Sequence, residues 1–167
     1  MTQVLSTARL QLREIEDTDA AFLRRLLNTR DFIKNIGDRR IRTLDDSRRY
    51  IETNIRASYR QHSMGLWVVE DRNSHALLGL CGLLKRDTLE HPDVGYAFLP
   101  STFGCGFATE AAAACLQYGR SALGLATICA IVSAHNKASI RVLEKIGLHY
   151  QREIPGTEPG QMLQLFA

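Results

Sequence analysis

Val94-Gly95-Tyr96-Ala97-Phe98-Leu99-Pro100 followed by Ser101-Thr102-Phe103-Gly104-Cys105-Gly106-Phe107-Ala108-Thr109-Glu110-Ala111 is the stretch on which the reading of this chain turns. An apolar run stops at a proline, a turn with two glycines follows, and an alanine-rich segment from Phe107 to Leu123 is helical by propensity. A strand that enters a helix through such a turn makes an anion site. The first helical turn has N–H groups without intrahelical acceptors at the positive end of the helix dipole. Glycine lets the backbone approach a phosphate closely and take positive φ. Two phosphate-binding patterns do not fit. A Walker-type loop needs a lysine directly after its last glycine, and Gly106 is followed by Phe107. A dinucleotide fingerprint needs a third glycine where Thr109 stands, and it belongs on the first strand of its fold.

Upstream, Arg9–Arg13 alternates as a half-buried strand, and Thr18–Asn28 reads as a short amphipathic helix. Thr43-Leu44-Asp45-Asp46 resembles a capping box opening a helix to about Gln61, with Leu44, Ile51, Ile55 and Tyr59 on one side. Strands follow at Leu66–Glu70, Ala76–Leu84 and Val94–Leu99. Downstream, Leu125–Val132 reads as a buried strand, and Asn136 caps a helix through Ile146 that ends at Gly147. His149–Ile154 and Gln161–Phe166 read as two last strands. Strands joined by hairpins and strands joined through helices both occur, which predicts one mixed sheet with helices packed on it.

The decisive stretch resembles motif A of the GCN5-related N-acetyltransferases, in the branch of the ribosomal-protein N-terminal (RimJ/RimL-like) enzymes. The run from Asn136 through Ser139, Arg141, Leu143, Lys145 and Gly147 to Leu148 resembles motif B of that branch, and Thr7–Arg13 resembles its opening strand. The resemblance spans essentially the whole chain in the right order. It implies an α/β (α+β) fold with a mostly antiparallel sheet of about six or seven strands, helices on both faces, and a splay between two central parallel strands. It also implies acetyl-CoA as the acyl donor and direct transfer of acetyl to a primary amine. The donor's pantetheine inserts between Val94–Leu99 and Leu125–Val132, and unpaired backbone groups around Phe98 and Leu99 polarise the thioester. Donor contacts carry over to Phe98, Leu99, Gly104, Cys105, Gly106, Phe107, Ala108, Thr109, Asn136 and Ser139. Ser101 stands where the family has Gln or Arg, so the cradle relies on backbone.

The nucleophile must be a neutral amine. An α-amine titrates near about 7.7–8.0 and a lysine near about 10.4, so an α-amine needs only a weak base. A carboxylate acting through water suffices, with Asp93 and Glu158 as candidates. Many relatives protonate the departing thiolate with a motif B tyrosine. Leu143 holds that position here, leaving Ser139 as the candidate acid. Glu110 sits in a helix first turn, where the dipole accounts for it. Cys105 beside a helix N-terminus offers a rival nucleophile, but no His or Asn partner is recognisable. The acceptor pocket is expected from the Phe32–Arg42 segment and the C-terminal loop. The acceptor itself is a protein or peptide N-terminus, or a small amine. A non-catalytic acyl-CoA sensor is the alternative from another class.

Length and composition bound these readings. The chain has 167 residues, 45% hydrophobic and 23% charged, which excludes a disordered or collagen-like chain and predicts one domain over residues 1–167. The net charge of +3 permits a small anionic ligand without demanding nucleic acid, since the arginines of the first third are interleaved with acids. Cys81, Cys105, Cys115 and Cys129 form no C-x-x-C pair and read as reduced thiols of a cytoplasmic protein. The five histidines have no metal-ligand spacing, so no metal is expected. Met1–Ser6 shows no basic region followed by an apolar stretch, so no leader is expected, and no apolar window approaches the ~20 residues of a membrane span. Monomer and homodimer both remain open.

Overall fold

The computed structural model describes Met1–Ala167. Strands β1 (Gln3–Ser6), β2 (Leu10–Arg13), β3 (Leu66–Asp71), β4 (Leu77–Leu84) and β5 (Asp93–Phe98) form an antiparallel ladder in that order. Strands β6 (Ala130–Val132), β7 (Tyr150–Pro155) and β8 (Met162–Phe166) form a second ladder in the order β6-β8-β7. The two meet at one parallel bridge, Asp93 to Cys129. The α/β architecture is the expected one, but the sheet has eight strands in a five-plus-three arrangement. The strand missed in the sequence is β1, whose four residues are interrupted by a bulge and do not alternate cleanly.

Helices cover both faces because the strands alternate. In β3, Trp67 and Val69 face one side and Val68 the other. On the first side pack α5 (Phe107–Ser121) and α6 (Lys137–Lys145), contributing Ala111, Cys115, Leu116 and Leu143 to the core. On the second side pack α1 (Ala20–Leu27), α2 (Arg30–Asn35) and the helical run from Leu44, contributing Leu23, Leu26, Phe32, Ile51 and Ile55. The Thr43 capping box is present: its hydroxyl accepts from the Asp46 N–H, and Asp46 accepts from the Thr43 N–H. The run it opens is α3 (Leu44–Tyr50), a π-helical turn (Ile51–Arg56) and α4 (Ala57–His62). Leu44, expected on the apolar side, is exposed.

Two other differences have local causes. Helix α2 is too short to show a period and is held by Thr29, which accepts from the Phe32 N–H. The predicted strand Leu125–Val132 is ordered as strand only over Ala130–Val132. Leu125 spends its N–H on Gly119 at the end of α5, and Cys129 spends its backbone on the bridge to β5.

A buried charged group ties the second face to the sheet. Arg13 donates to both oxygens of Asp19 (2.8 and 2.9 Å) and to Glu70 (2.7 Å), and all three side chains are nearly excluded from solvent.

Candidate active site

β5 and β6 part company just after their bridge. The Val94 N–H reaches the Cys129 carbonyl, and the Cys129 N–H reaches the Pro92 carbonyl, both at 2.9 Å. No backbone bond joins Tyr96 or Phe98 to β6. Strand alternation turns the amides of Tyr96 and Phe98 to the β6 side, because the Leu99 N–H already points to Leu78 of β4. Phe98 therefore has unpaired backbone groups on the open edge. Leu99 has none: its N–H is on Leu78 and its carbonyl takes the Thr102 N–H and hydroxyl. The expectation of unpaired groups around both residues narrows to Phe98.

The chain leaves β5 through the turn at Pro100 and enters the glycine loop. Gly104 and Gly106 take φ of 77° and 79°, a region that L side chains rarely adopt. The N–H groups of Gly104, Cys105, Gly106, Phe107, Ala108 and Thr109 donate to no acceptor in the chain; the first helical bond is Glu110 N–H to Gly106. This run of outward amides at the start of a fifteen-residue helix is a cradle for a polyanion. The turn between β1 and β2 clips the cradle in place. Glu110 accepts from the Thr7 hydroxyl (2.5 Å), the Arg9 N–H (3.0 Å) and the Arg9 guanidinium (2.6 Å). Arg9 also donates to the Cys105 carbonyl and lies 4.6 Å over the Phe107 ring. Burial works to raise the Glu110 carboxyl, but these bonds outweigh it and hold it below the usual range. The dipole alone did not account for Glu110.

A cavity of about 650 Å³ opens along the β5–β6 gap. Asp93, Tyr96, Asn136 and Ser139 line its inner part, and Phe32, Asn35, Ile36, Arg39, Thr157 and Gln161 its outer part. The outer set comes from the two segments expected to build the acceptor pocket. Asn136 accepts from the Ser139 N–H at 3.2 Å, which caps α6. Ser139 Oγ lies 2.8 Å from the Tyr96 hydroxyl, and that hydroxyl also donates to the Ser139 carbonyl at 3.1 Å. Burial raises the Tyr96 phenol well above its ordinary value, so it stays protonated. Tyr96 was not singled out in the sequence; a tyrosine in an apolar strand needs a partner for its hydroxyl, and that was the available signal.

Asp93 is 1% exposed, and its Oδ1 receives Arg86 Nε at 2.8 Å. Burial pushes its carboxyl above the usual range, and Arg86 pulls it back. Glu158 is exposed on the β7–β8 loop and does not line the cavity. Cys105 is exposed and has only a weak contact with the Phe103 carbonyl, with no basic partner. No group of three His, Cys, Asp or Glu side chains could hold a metal ion, and no helix is long and apolar enough to cross a membrane.

A sheet splayed between β5 and β6, a run of free amides at the start of α5 and a cavity along the gap together suit a long phosphorylated ligand. The model of the acetyltransferase (GNAT) domain matches residues 9–149, and the chain belongs to that family. It is an N-acetyltransferase domain of a family whose acyl donor is acetyl-CoA. The protein YkkB of Bacillus subtilis (strain 168) is 35% identical over 156 residues, covering 90% of this chain and 87% of YkkB. The N-acetyltransferase YoaA of the same organism is 31% identical over 154 residues, covering 92% of this chain and 85% of YoaA. Among solved structures, RimL, a ribosomal L7/L12 α-N-protein acetyltransferase in complex with coenzyme A, superposes with a TM-score of 0.83. That match is 12% identical over 98% of this chain and 96% of RimL, a likeness of fold alone.

Proposed function

We propose that this chain transfers acetyl from acetyl-CoA to a primary amine by direct attack, and that the amine is an α-amine of the kind found at a peptide or protein N-terminus. The observation that carries the reading is the run of unbonded amides at 104–109, reached directly from β5, whose residues 93–97 line the cavity along the open edge. The cradle takes the pyrophosphate, with the loop amides as donors. The Phe98 edge receives the thioester carbonyl, where a fixed N–H stabilises the developing oxyanion. Asn136 meets the pantetheine arm with the amide nitrogen that its capping bond leaves over.

In this reading the amine nitrogen attacks the thioester carbon and the C–S bond breaks. The amine's proton passes through water to Asp93, whose burial makes it a stronger base than a surface carboxylate. The thiolate takes a proton from the Ser139–Tyr96 pair, which burial keeps protonated. Glu158 has no part in this scheme, since it stands outside the cavity lining. A non-catalytic sensor would leave the outer cavity and the Tyr96–Ser139 pair without use. The test is chromatographic detection of CoA with mass spectrometry of the acceptor, on peptide N-termini and small amines. Acetylation of α-amines over lysine side chains is the expected result. Acetyl-CoA binding without acetylation of any amine would leave the sensor.

A further inference from the structure

The outer cavity has an unbalanced charge. Its ionisable lining groups are Arg39, His62, Lys85, Arg86 and the Tyr50 phenol, with Asp93 and the Tyr96 phenol on the inner side. Asp93 is the single carboxylate among them, and it is already bonded to Arg86. Lys85 is held by the carbonyls of Leu89 and Glu90, not by an acid. Arg39 has no ion-pair or hydrogen-bond partner for its side chain, and the acid beside it, Asp38, is committed to Arg42 at 3.0 Å or less. Glu158 sits on the same loop as Thr157 but outside the lining. The place where the acceptor must stand is therefore cationic, with no carboxylate left to receive a second positive charge.

We propose that the acceptor carries an anionic group, a carboxylate or phosphate, close to the amine that is acetylated, and that Arg39 and Lys85 receive it. This rests on the acetyltransferase reading and narrows its acceptor. Two physical consequences follow from the same charges. An anionic group is attracted into the outer cavity, while a polyamine is repelled from it. The cations also disfavour the ammonium form of the incoming amine, so more of it is present as the neutral nucleophile. The anion can come from a small molecule such as an α-amino acid or an aminoalkyl phosphonate, or from an acidic residue next to a peptide N-terminus. The chemistry recognised is the same.

The test compares matched acceptors with the full chain and acetyl-CoA: an α-amino acid against its carboxamide, 2-aminoethylphosphonate against ethanolamine, the peptide amide Ser-Asp-Gly against Ser-Lys-Gly, and spermidine. The anionic member of at least one pair is expected to have a kcat/KM about ten-fold higher or more, an advantage that shrinks as salt is added. Which pair shows it separates the small-molecule source from the peptide source. In Arg39→Ala the anionic-to-neutral ratio falls toward one, and in Arg39→Glu it inverts. Arg39 is exposed, so both variants are expected to fold, and circular dichroism checks this. Equal rates within every pair, or a preference for spermidine, overturns the anionic acceptor and leaves the acetyltransferase standing. Acetylation of none of them by a folded, acetyl-CoA-binding protein overturns both.

Discussion

Tyr96→Phe removes one oxygen from the cavity wall and keeps the ring that fills β5. If the Tyr96–Ser139 pair supplies the thiolate's proton, kcat falls about 100-fold while acetyl-CoA affinity barely moves. Ser139→Ala has the same effect, and the double variant is no worse than either, because the two hydroxyls act as a unit. Steady-state kinetics beside calorimetric binding measures this; additive losses would separate the two residues. Asp93→Asn is read through pH. A base must be ionised, so kcat at saturating acceptor falls as pH drops through the Asp93 pKa. Burial places that limb above the ordinary aspartate value of about 3.9, and the variant lacks it. At this scale the sequence was legible where partners are local. Asn136 and Ser139 are three positions apart, and their cap was readable. Tyr96 and Ser139 are 43 positions apart, and Thr7 and Glu110 are 103 apart, so no periodicity joins them.

At the scale of elements, the clip between the β1–β2 turn and α5 decides how well the cradle is formed before the donor arrives. Arg9→Ala cuts the guanidinium bonds to Glu110 and to the Cys105 carbonyl, leaving the backbone bond to Glu110, and is expected to weaken acetyl-CoA binding about ten-fold through lost preorganisation, measured by calorimetry. The Glu110 carboxyl is depressed in the folded chain, so its contribution to stability is complete above the unfolded value of about 4.3 and is lost as pH falls through the lower folded value. Melting temperatures of the parent chain and Glu110→Gln should thus differ at pH 7 and converge in acid. Arg13→Met leaves Asp19 and Glu70 buried without their cation, and a loss of about 3–5 kcal/mol is expected by chemical denaturation. The elements themselves were largely readable, since the helices and most strands follow the hydrophobic period. The failures are short elements and changes of role. β1 bulges, α2 has six residues, and the chain at 125–129 spends its backbone on α5 and β5 instead of a ladder. The π-helical turn at Ile51–Arg56 left no mark in the apolar spacing.

At the scale of the whole molecule, two cores on opposite faces hold a sheet that is closed at one end and open in its middle. The mixed sheet and its two helical faces follow from the order of strands and helices. The opening between β5 and β6 was legible only through the resemblance of the two motifs, because a missing ladder has no composition of its own. In the proposed reading the donor's phosphates meet the glycine loop, its thioester meets the open edge of β5, and the acceptor enters the cavity beside that edge. The first of these contacts supports the rest, and it is the one to measure: calorimetric titration of acetyl-CoA into the parent chain and into Gly106→Asp. Gly106 is exposed with φ of 79°, and a side chain there would stand 3.3 Å from Arg9, inside the cradle. The account predicts binding at about micromolar strength to the parent and none to a Gly106→Asp variant with unchanged near-ultraviolet circular dichroism. Equal binding by the two, or no binding by a folded parent chain, would contradict it.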